Sequence, residues 1–212
     1  YINQAEFDAG PKHSTSKVGT VRMKDLNNDG IIDMTNDRTY IGNPNPDFIF
    51  GLTNSFNYKN WDFSIITSGT YGNEIKDGMA ESSENLDGVF NGPKYMLDRW
   101  RSEENPGNGK IARTLAGTTV LARADNSKFI FDGSHLTINN ITLGYSWSRI
   151  YRMPFIKKLR LYASVQNAYI FTKYPGMNPE VNEGELNGLN QGQDFGNYPV
   201  PRTFSIGINM GF

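Results

Sequence analysis

Residues Asp25-Leu26-Asn27-Asn28-Asp29-Gly30-Ile31-Ile32-Asp33 set oxygen-bearing side chains at the first, third and fifth positions of a short stretch, with glycine at the sixth. That spacing matches the opening of a calcium loop, in which a main-chain carbonyl, here that of Ile31, serves at the seventh position and Asp33 at the ninth. Asn36 stands at the twelfth position, where such loops carry a bidentate glutamate, and Asp37 follows it. The stretch therefore predicts a weak calcium site made from Asp25, Asn27, Asp29, Ile31 and Asp33, completed by water or Asp37, and not a full EF-hand. An Asn/Asp/Gly turn that needs no ion is the competing reading.

Little else in the chain has the makings of reaction chemistry. With no cysteine and only His13 and His135 as histidines, disulfides and thiolate metal sites are impossible, and no Ser/His/Asp or paired-carboxylate spacing stands out. An enzyme is not expected, nor an organic cofactor. A net charge of -1 without a Lys/Arg run argues against nucleic acid as a partner. Glu81, Glu84, Asp87, Glu103 and Glu104 make one segment acidic, the usual sign of a solvated face. Within that segment, Pro93–Arg101 predicts a short helix that buries Tyr95, Met96, Leu97 and Trp100 and leaves Asp98 and Arg101 to solvent.

What the sequence must position is mostly strand. In the last strand segment, 201–212, the run Thr203–Phe212 alternates small or polar residues with Phe204, Ile206, Ile208, Met210 and Phe212, so that one side of the strand is apolar and the other is not. Five further period-2 segments precede it, at 17–24, 46–58, 61–73, 134–147 and 158–171. The last of these sets Leu159, Leu161, Ala163, Val165, Tyr169 and Phe171 against Arg160, Tyr162, Ser164 and Gln166, with Asn167 breaking the apolar row. In 134–147 the parity of Leu136 and Ile138 differs from that of Ile141, Leu143, Tyr145 and Trp147, which predicts a bulge near Asn139-Asn140. The segment 17–24 is the weakest, anchored by Val18 and Met23.

The links between these segments are short around Lys59-Asn60, modest over 148–157, and long over 25–45, 74–133 and 172–200. Alternate short and long links put all the long ones at one end, as in membrane barrels with short periplasmic turns and long extracellular loops. Tyr58, Trp61, Tyr145, Trp147 and Tyr151 cluster at the short-link end, where an interfacial girdle of amphipathic rings belongs. A mean hydropathy of -0.54 is compatible with this, because only alternate residues of such strands meet lipid. No run approaches the ~20 apolar residues of a spanning helix. The expectation is an all-β, antiparallel transmembrane β-barrel segment: about six C-terminal strands, spread over 1–212, of a larger barrel, since lipid leaves no sheet edge satisfied and single-chain barrels begin at about eight strands. A multi-chain pore, a soluble extracellular β-sandwich that binds carbohydrate, and a hydrolase are the rival readings.

A resemblance to a known family runs through the chain in order. It begins with Asp25-Leu26-Asn27-Asn28-Asp29-Gly30 and Ile41-Gly42-Asn43-Pro44-Asn45-Pro46-Asp47-Phe48. It continues through Gly69-Thr70-Tyr71-Gly72-Asn73, Asp132-Gly133-Ser134-His135-Leu136 and Asn140-Ile141-Thr142-Leu143-Gly144-Tyr145. Gln166-Asn167, Lys173-Tyr174-Pro175-Gly176-Met177-Asn178-Pro179-Glu180, Tyr198-Pro199-Val200-Pro201-Arg202 and Phe212 complete it. Taken together these resemble the SusC/RagA-type TonB-dependent outer-membrane transporters. The resemblance implies a multi-pass barrel in the outer membrane that imports large nutrients, oligosaccharides or oligopeptides. It also implies a plug domain that this chain lacks, a SusD-like surface lipoprotein, and the TonB complex as partners. Arg160, Tyr162 and Gln166 would then face the lumen or plug, the apolar row from Phe204 to Phe212 would face outer-membrane lipid as the C-terminal assembly signal, and the long loops would meet substrate or lipoprotein.

Overall fold

A computed structural model of the chain describes residues 1–84, 91–114, 126–147, 155–181 and 191–212. These fall into two compact units, one of Tyr1–Gly42 with Asp77–Ile130 and one of Asn43–Lys76 with Phe131–Phe212. The strands in chain order are β1 (Phe48–Tyr58), β2 (Trp61–Tyr71), β3 (Glu74–Asp77), β4 (Ile130–Asp132), β5 (His135–Trp147), β6 (Lys158–Thr172), β7 (Gln193–Asp194) and β8 (Thr203–Gly211).

The second unit is built on an antiparallel sheet of order β1-β2-β5-β6-β8. Five of the six expected strands are present within two residues of their expected bounds. β1 and β2 turn directly into one another, with Tyr58 opposite Trp61 and Lys59 at a φ of 55°. In β5 the register passes over Asn139 against both neighbours, and β6 answers with Asn167 at a φ of 51°. The expected bulge is therefore real, and its consequence is geometric: the slip brings Leu136 and Ile138 back to the face of Ile141 and Leu143. One face of the sheet now reads Phe48, Phe50, Leu52, Phe56, Tyr58 on β1 through Phe204, Ile206, Ile208, Met210 on β8. Its β8 side chains stand uncovered, Phe204 at 73% and Ile206 at 82% exposure.

The register also sorts the links. The tight β1–β2 turn, the ends of β5 and β6 at Trp147 and Lys158, and Gly211 share one end of the sheet, and the long connections share the other. At the short-link end, Trp61, Tyr145 and Trp147 meet edge to face, with ring centres 4.8 and 4.5 Å apart. Tyr151 lies outside the described residues, as does Asp87. At the long-link end, two stretches expected to be loop carry a second sheet of order β4-β3-β7. Ile75, Tyr174 and Val181 are buried together there, with Phe131 packed against them.

The first unit departs from expectation at 17–24, which is not a strand. Gly19 turns the chain at a φ of 85°, its N–H donates to the Tyr1 carbonyl and its own carbonyl accepts from Arg113, so these backbone groups serve a turn instead of a ladder. Gly19 is required there, because a Cβ would overlap the Trp100 ring. Helix α1 (Gln4–Ala9) is capped by Asn3, whose side chain accepts the Glu6 N–H while Glu6 accepts that of Ile2. Helix α2 covers Gly78–Glu84, and Glu84 pairs with Lys128. The expected helix after Pro93 is a single 3-10 segment, Lys94–Asp98, with Met96 and Trp100 buried but Tyr95 and Leu97 exposed. Three residues per turn align only every third side chain, so the immediate neighbours of Met96 point elsewhere.

Candidate functional site

The opposite face of the five-stranded sheet carries the polar side chains, and they are organised in rows. Asp62, Gly144, Tyr162 and Gly207 lie directly opposite one another across β2, β5, β6 and β8. Arg160, two residues along β6, reaches over Gly144 to Asp62 with two hydrogen bonds, Nε to Oδ1 at 2.9 Å and Nη2 to Oδ2 at 2.5 Å. Its guanidinium also sits 4.9 Å from the centre of the Tyr162 ring. Both glycines are needed: a side chain at 144 would strike Asp62 and Arg160, and one at 207 would strike the Tyr162 ring. A bidentate Arg–carboxylate pair fixes both side chains in one plane, so this row is a rigid clasp across four strands.

Further along the same face, Ser68 bonds Asn139 at the bulge, and Thr142 bonds Asn140. Gln166 lies opposite Thr203 and Asn140, on the side of Arg160 and Tyr162. The face is not purely polar, since Ile49, Ile66 and Ile170 share it.

At the long-link end a loop segment meets this face. Glu180 accepts a hydrogen bond from Thr137 Oγ1 at 3.0 Å and lies 3.5 Å from Nε2 of His135. The hydrogen bond from His135, with that from Thr137, outweighs partial burial and holds the Glu180 carboxyl below the usual glutamate range. The segment is fixed on its own side as well: Asn178 Oδ1 accepts the Glu180 N–H, and Tyr174 donates to Asp194 at 2.7 Å. A cavity of about 390 Å³ lies here, with Ile49, Ser68 and His135 on the sheet side and Pro179, Glu180 and Val181 on the loop side.

In the first unit, the Asp25–Asp33 stretch closes on its own backbone. Asp25 accepts the N–H groups of Asn28 and Gly30, Asn27 that of Asp29, and Asp29 that of Ile31. Asp33 turns to Thr35 and Asn36, and the Asn36 and Thr35 N–H groups, with the Asn36 side chain, hold its carboxyl below the usual range. Asp37 accepts from Leu26 and Asp33, tying the two ends of the loop. Among the described residues no three His, Asp or Glu side chains gather as a metal-ligating group.

Residue spacing thus placed Arg160, Tyr162 and Gln166 on one face, but it missed the partners that define their role. Asp62 lies far from Arg160 in sequence and carries no motif, and Glu180, which ends the Lys173–Glu180 run, lies far from His135. Gly144 and Gly207 did give a signal, because glycine inside a strand marks a close approach.

No family model matches the chain. It is 34% identical to a TonB-dependent receptor of Formosa agariphila over 99% of its own length and 21% of that protein. It is 31% identical to the TonB-dependent receptor SusC of Bacteroides thetaiotaomicron over 100% of its length and 19% of SusC. The chain spans about a fifth of the length of these curated relatives. Among solved structures it is similar to the RagAB peptide importer in its open-open state, with a TM-score of 0.68 at 18% identity, covering 86% of this chain and 19% of that one. That likeness shows the fold, an antiparallel barrel wall with long loops at one end.

Proposed function

We propose that this chain, whose sequence resembles a segment of the SusC/RagA-type TonB-dependent transporters, is lipid-facing wall and rim of an outer-membrane importer for large nutrients. The observation that carries this reading is the two-faced sheet. Apolar side chains dominate one side of all five strands, interrupted by Asn54 and Thr67, and many of them stand exposed, and the other side holds the Asp62–Arg160 clasp and hydrogen-bonded amides and hydroxyls. Lipid would cover the first side and the plug or a wet lumen the second. The long links would be extracellular, the plug and remaining strands would close the barrel, and a SusD-like lipoprotein would dock over the loops, with energy delivered through TonB. The protein acts as a wall and not as a catalyst. The structural neighbour is described as a peptide importer, but at 18% identity that likeness carries the fold alone, so the cargo is read, as the family resemblance implies, as a large nutrient of either class, oligosaccharide or oligopeptide. No observation favours the soluble sandwich, whose second sheet would have to cover Phe204 and Ile206.

The proposal extends to calcium at the Asp25–Asp33 loop. Asp25 Oδ1 and Oδ2, Asn27 Oδ1 and Asp29 Oδ1 each accept one backbone N–H and keep a lone pair, so with the Ile31 carbonyl they can still donate to a cation, with water completing its six to eight oxygens, and Asp33 would join by turning from the Thr35 and Asn36 N–H groups that its Oδ1 accepts. Millimolar external calcium would populate so weak a site. Calorimetric titration with calcium chloride of the protein and of Asp29→Ala tests this. Equal, featureless heats in both would leave the loop as a turn.

The wall itself is tested by solubility. Expressed alone, residues 1–212 should not form a folded monomer in buffer without detergent, because β1 and β8 present open edges and an uncovered apolar face. A monodisperse, folded, water-soluble monomer in analytical ultracentrifugation would remove the membrane reading.

A further inference from the structure

The His135 ring faces oxygen acceptors at both nitrogens. Nδ1 lies 3.0 Å from the Gly133 carbonyl and 3.2 Å from Thr70 Oγ1, and Nε2 lies 3.5 Å from Glu180 Oε1. Thr70 spends its own proton on Asn73 Oδ1, at 2.7 Å, and so presents a lone pair to the ring. A neutral imidazole has one N–H, and whichever nitrogen lacked it would point a lone pair at an oxygen lone pair. Only the imidazolium donates on both sides. The His135 side chain is 5% exposed, so water cannot easily replace either partner, whereas Glu180 is 45% exposed and comes from a loop.

The loop segment that carries Glu180 also walls the cavity described above, with Pro179 and Val181 on either side of it. We propose that His135 and Glu180 form a proton-operated latch: the imidazolium holds the Glu180 side chain, and with it Pro179–Val181, against the sheet at the side of the open cavity, and loss of the proton removes that hold and leaves the segment on the packing of Val181 and the Thr137 and Asn178 hydrogen bonds. The inference goes beyond import and does not depend on the cargo. Around the ring, β2 contributes Thr70, β5 contributes Thr137, and the loop contributes Glu180 as its charged partner. The charged residues further off are Asp132, which accepts from the Ser134 N–H, and Lys173, whose charge acts on Asp132; Glu74 on β3 accepts from Asn43. The sign follows from the ion pair. A histidine stabilised by a carboxylate contributes fully below its ordinary value of about 6.5, and the contribution is lost as pH rises through its value in the folded protein.

The test is amide hydrogen exchange of the intact protein in detergent micelles at about pH 5.5 and about pH 8.5, on either side of the ordinary histidine value, corrected for intrinsic exchange. Protection of the Glu180 and Val181 amides should fall at the higher pH, as the ion pair is lost. Protection in the middle of β6 should stay constant. His135→Gln should give the low protection at both pH values, and Glu180→Gln, which keeps a neutral acceptor, should remove the pH dependence if His135→Gln does not assemble. Equal protection in the unaltered protein at the two pH values, or unchanged pH dependence in either variant, would overturn the latch.

Discussion

The five-stranded sheet and the small cluster at its long-link end bury apolar surface in opposite senses. In the cluster, Ile75, Tyr174 and Val181 turn inward and exclude water, as in any soluble core. In the sheet, Phe204, Ile206, Leu161 and Phe56 turn outward and the hydrogen-bonded polar residues form the other face. One chain therefore carries two solvent conventions, and the difference teaches where each part draws its stability. The cluster depends on water, through the hydrophobic effect, whereas the sheet, on the function proposed above, would depend on a hydrocarbon surface.

Substitutions can break this contrast, and the largest effect is expected in the cluster. Ile75→Ala should cost about 2–5 kcal/mol, the range for emptying a packed site, and hydrogen exchange should show the loss confined to the rim while β6 stays protected. In the sheet, Ile206→Arg should cost about 2–4 kcal/mol if the side chain lies near the bilayer midplane, read as reduced assembly by heat-modifiable gel mobility. Ser205→Arg on the neighbouring position should be milder. Gly207→Val sharpens the comparison, because its face is the tolerant one but its notch holds Tyr162. Displacing that ring should cost about 1–3 kcal/mol, as overpacking does, with guanidinium unfolding of the reconstituted protein as the measurement. Smallest of all, Asp62→Asn should cost roughly 1 kcal/mol or less, since the pair is partly exposed. A charge swap, Asp62→Arg with Arg160→Asp, should recover part of it.

Most of the sheet was legible from residue types, because a strand with one apolar face writes its register into parity. Even the bulge was visible, as the parity change between Ile138 and Ile141. The 17–24 segment misled because its apolar anchors, Val18 and Met23, have opposite parity and never formed one face, while Gly19 serves Trp100, a contact set by residues far along the chain. The β4-β3-β7 sheet was invisible for a related reason: β3 and β4 are four and three residues long, β7 is two, and their partners lie in distant links. Pairing of that kind leaves no periodic trace. The polar face was legible as a set but not as chemistry, because Asp62 and Arg160 meet only once β5 has been placed between them with a glycine in the gap.

The central claim is that the two faces of one strand meet different solvents, and the absence of cysteine from these 212 residues lets single cysteines report on it in a background cleared of any others. Single cysteines at Ser205 and Ile206, and at Tyr162 and Leu161, would be introduced into the protein in its native membrane. Each would be treated with a water-soluble, membrane-impermeant maleimide and with a spin label read for oxygen and nickel-chelate accessibility. The account predicts that positions 161 and 206 are oxygen-accessible and refractory to the aqueous reagent, and that 162 and 205 lack the oxygen-rich lipid signature. Aqueous labelling of 161 and 206, with nickel-chelate accessibility there as high as on the other face, would contradict it.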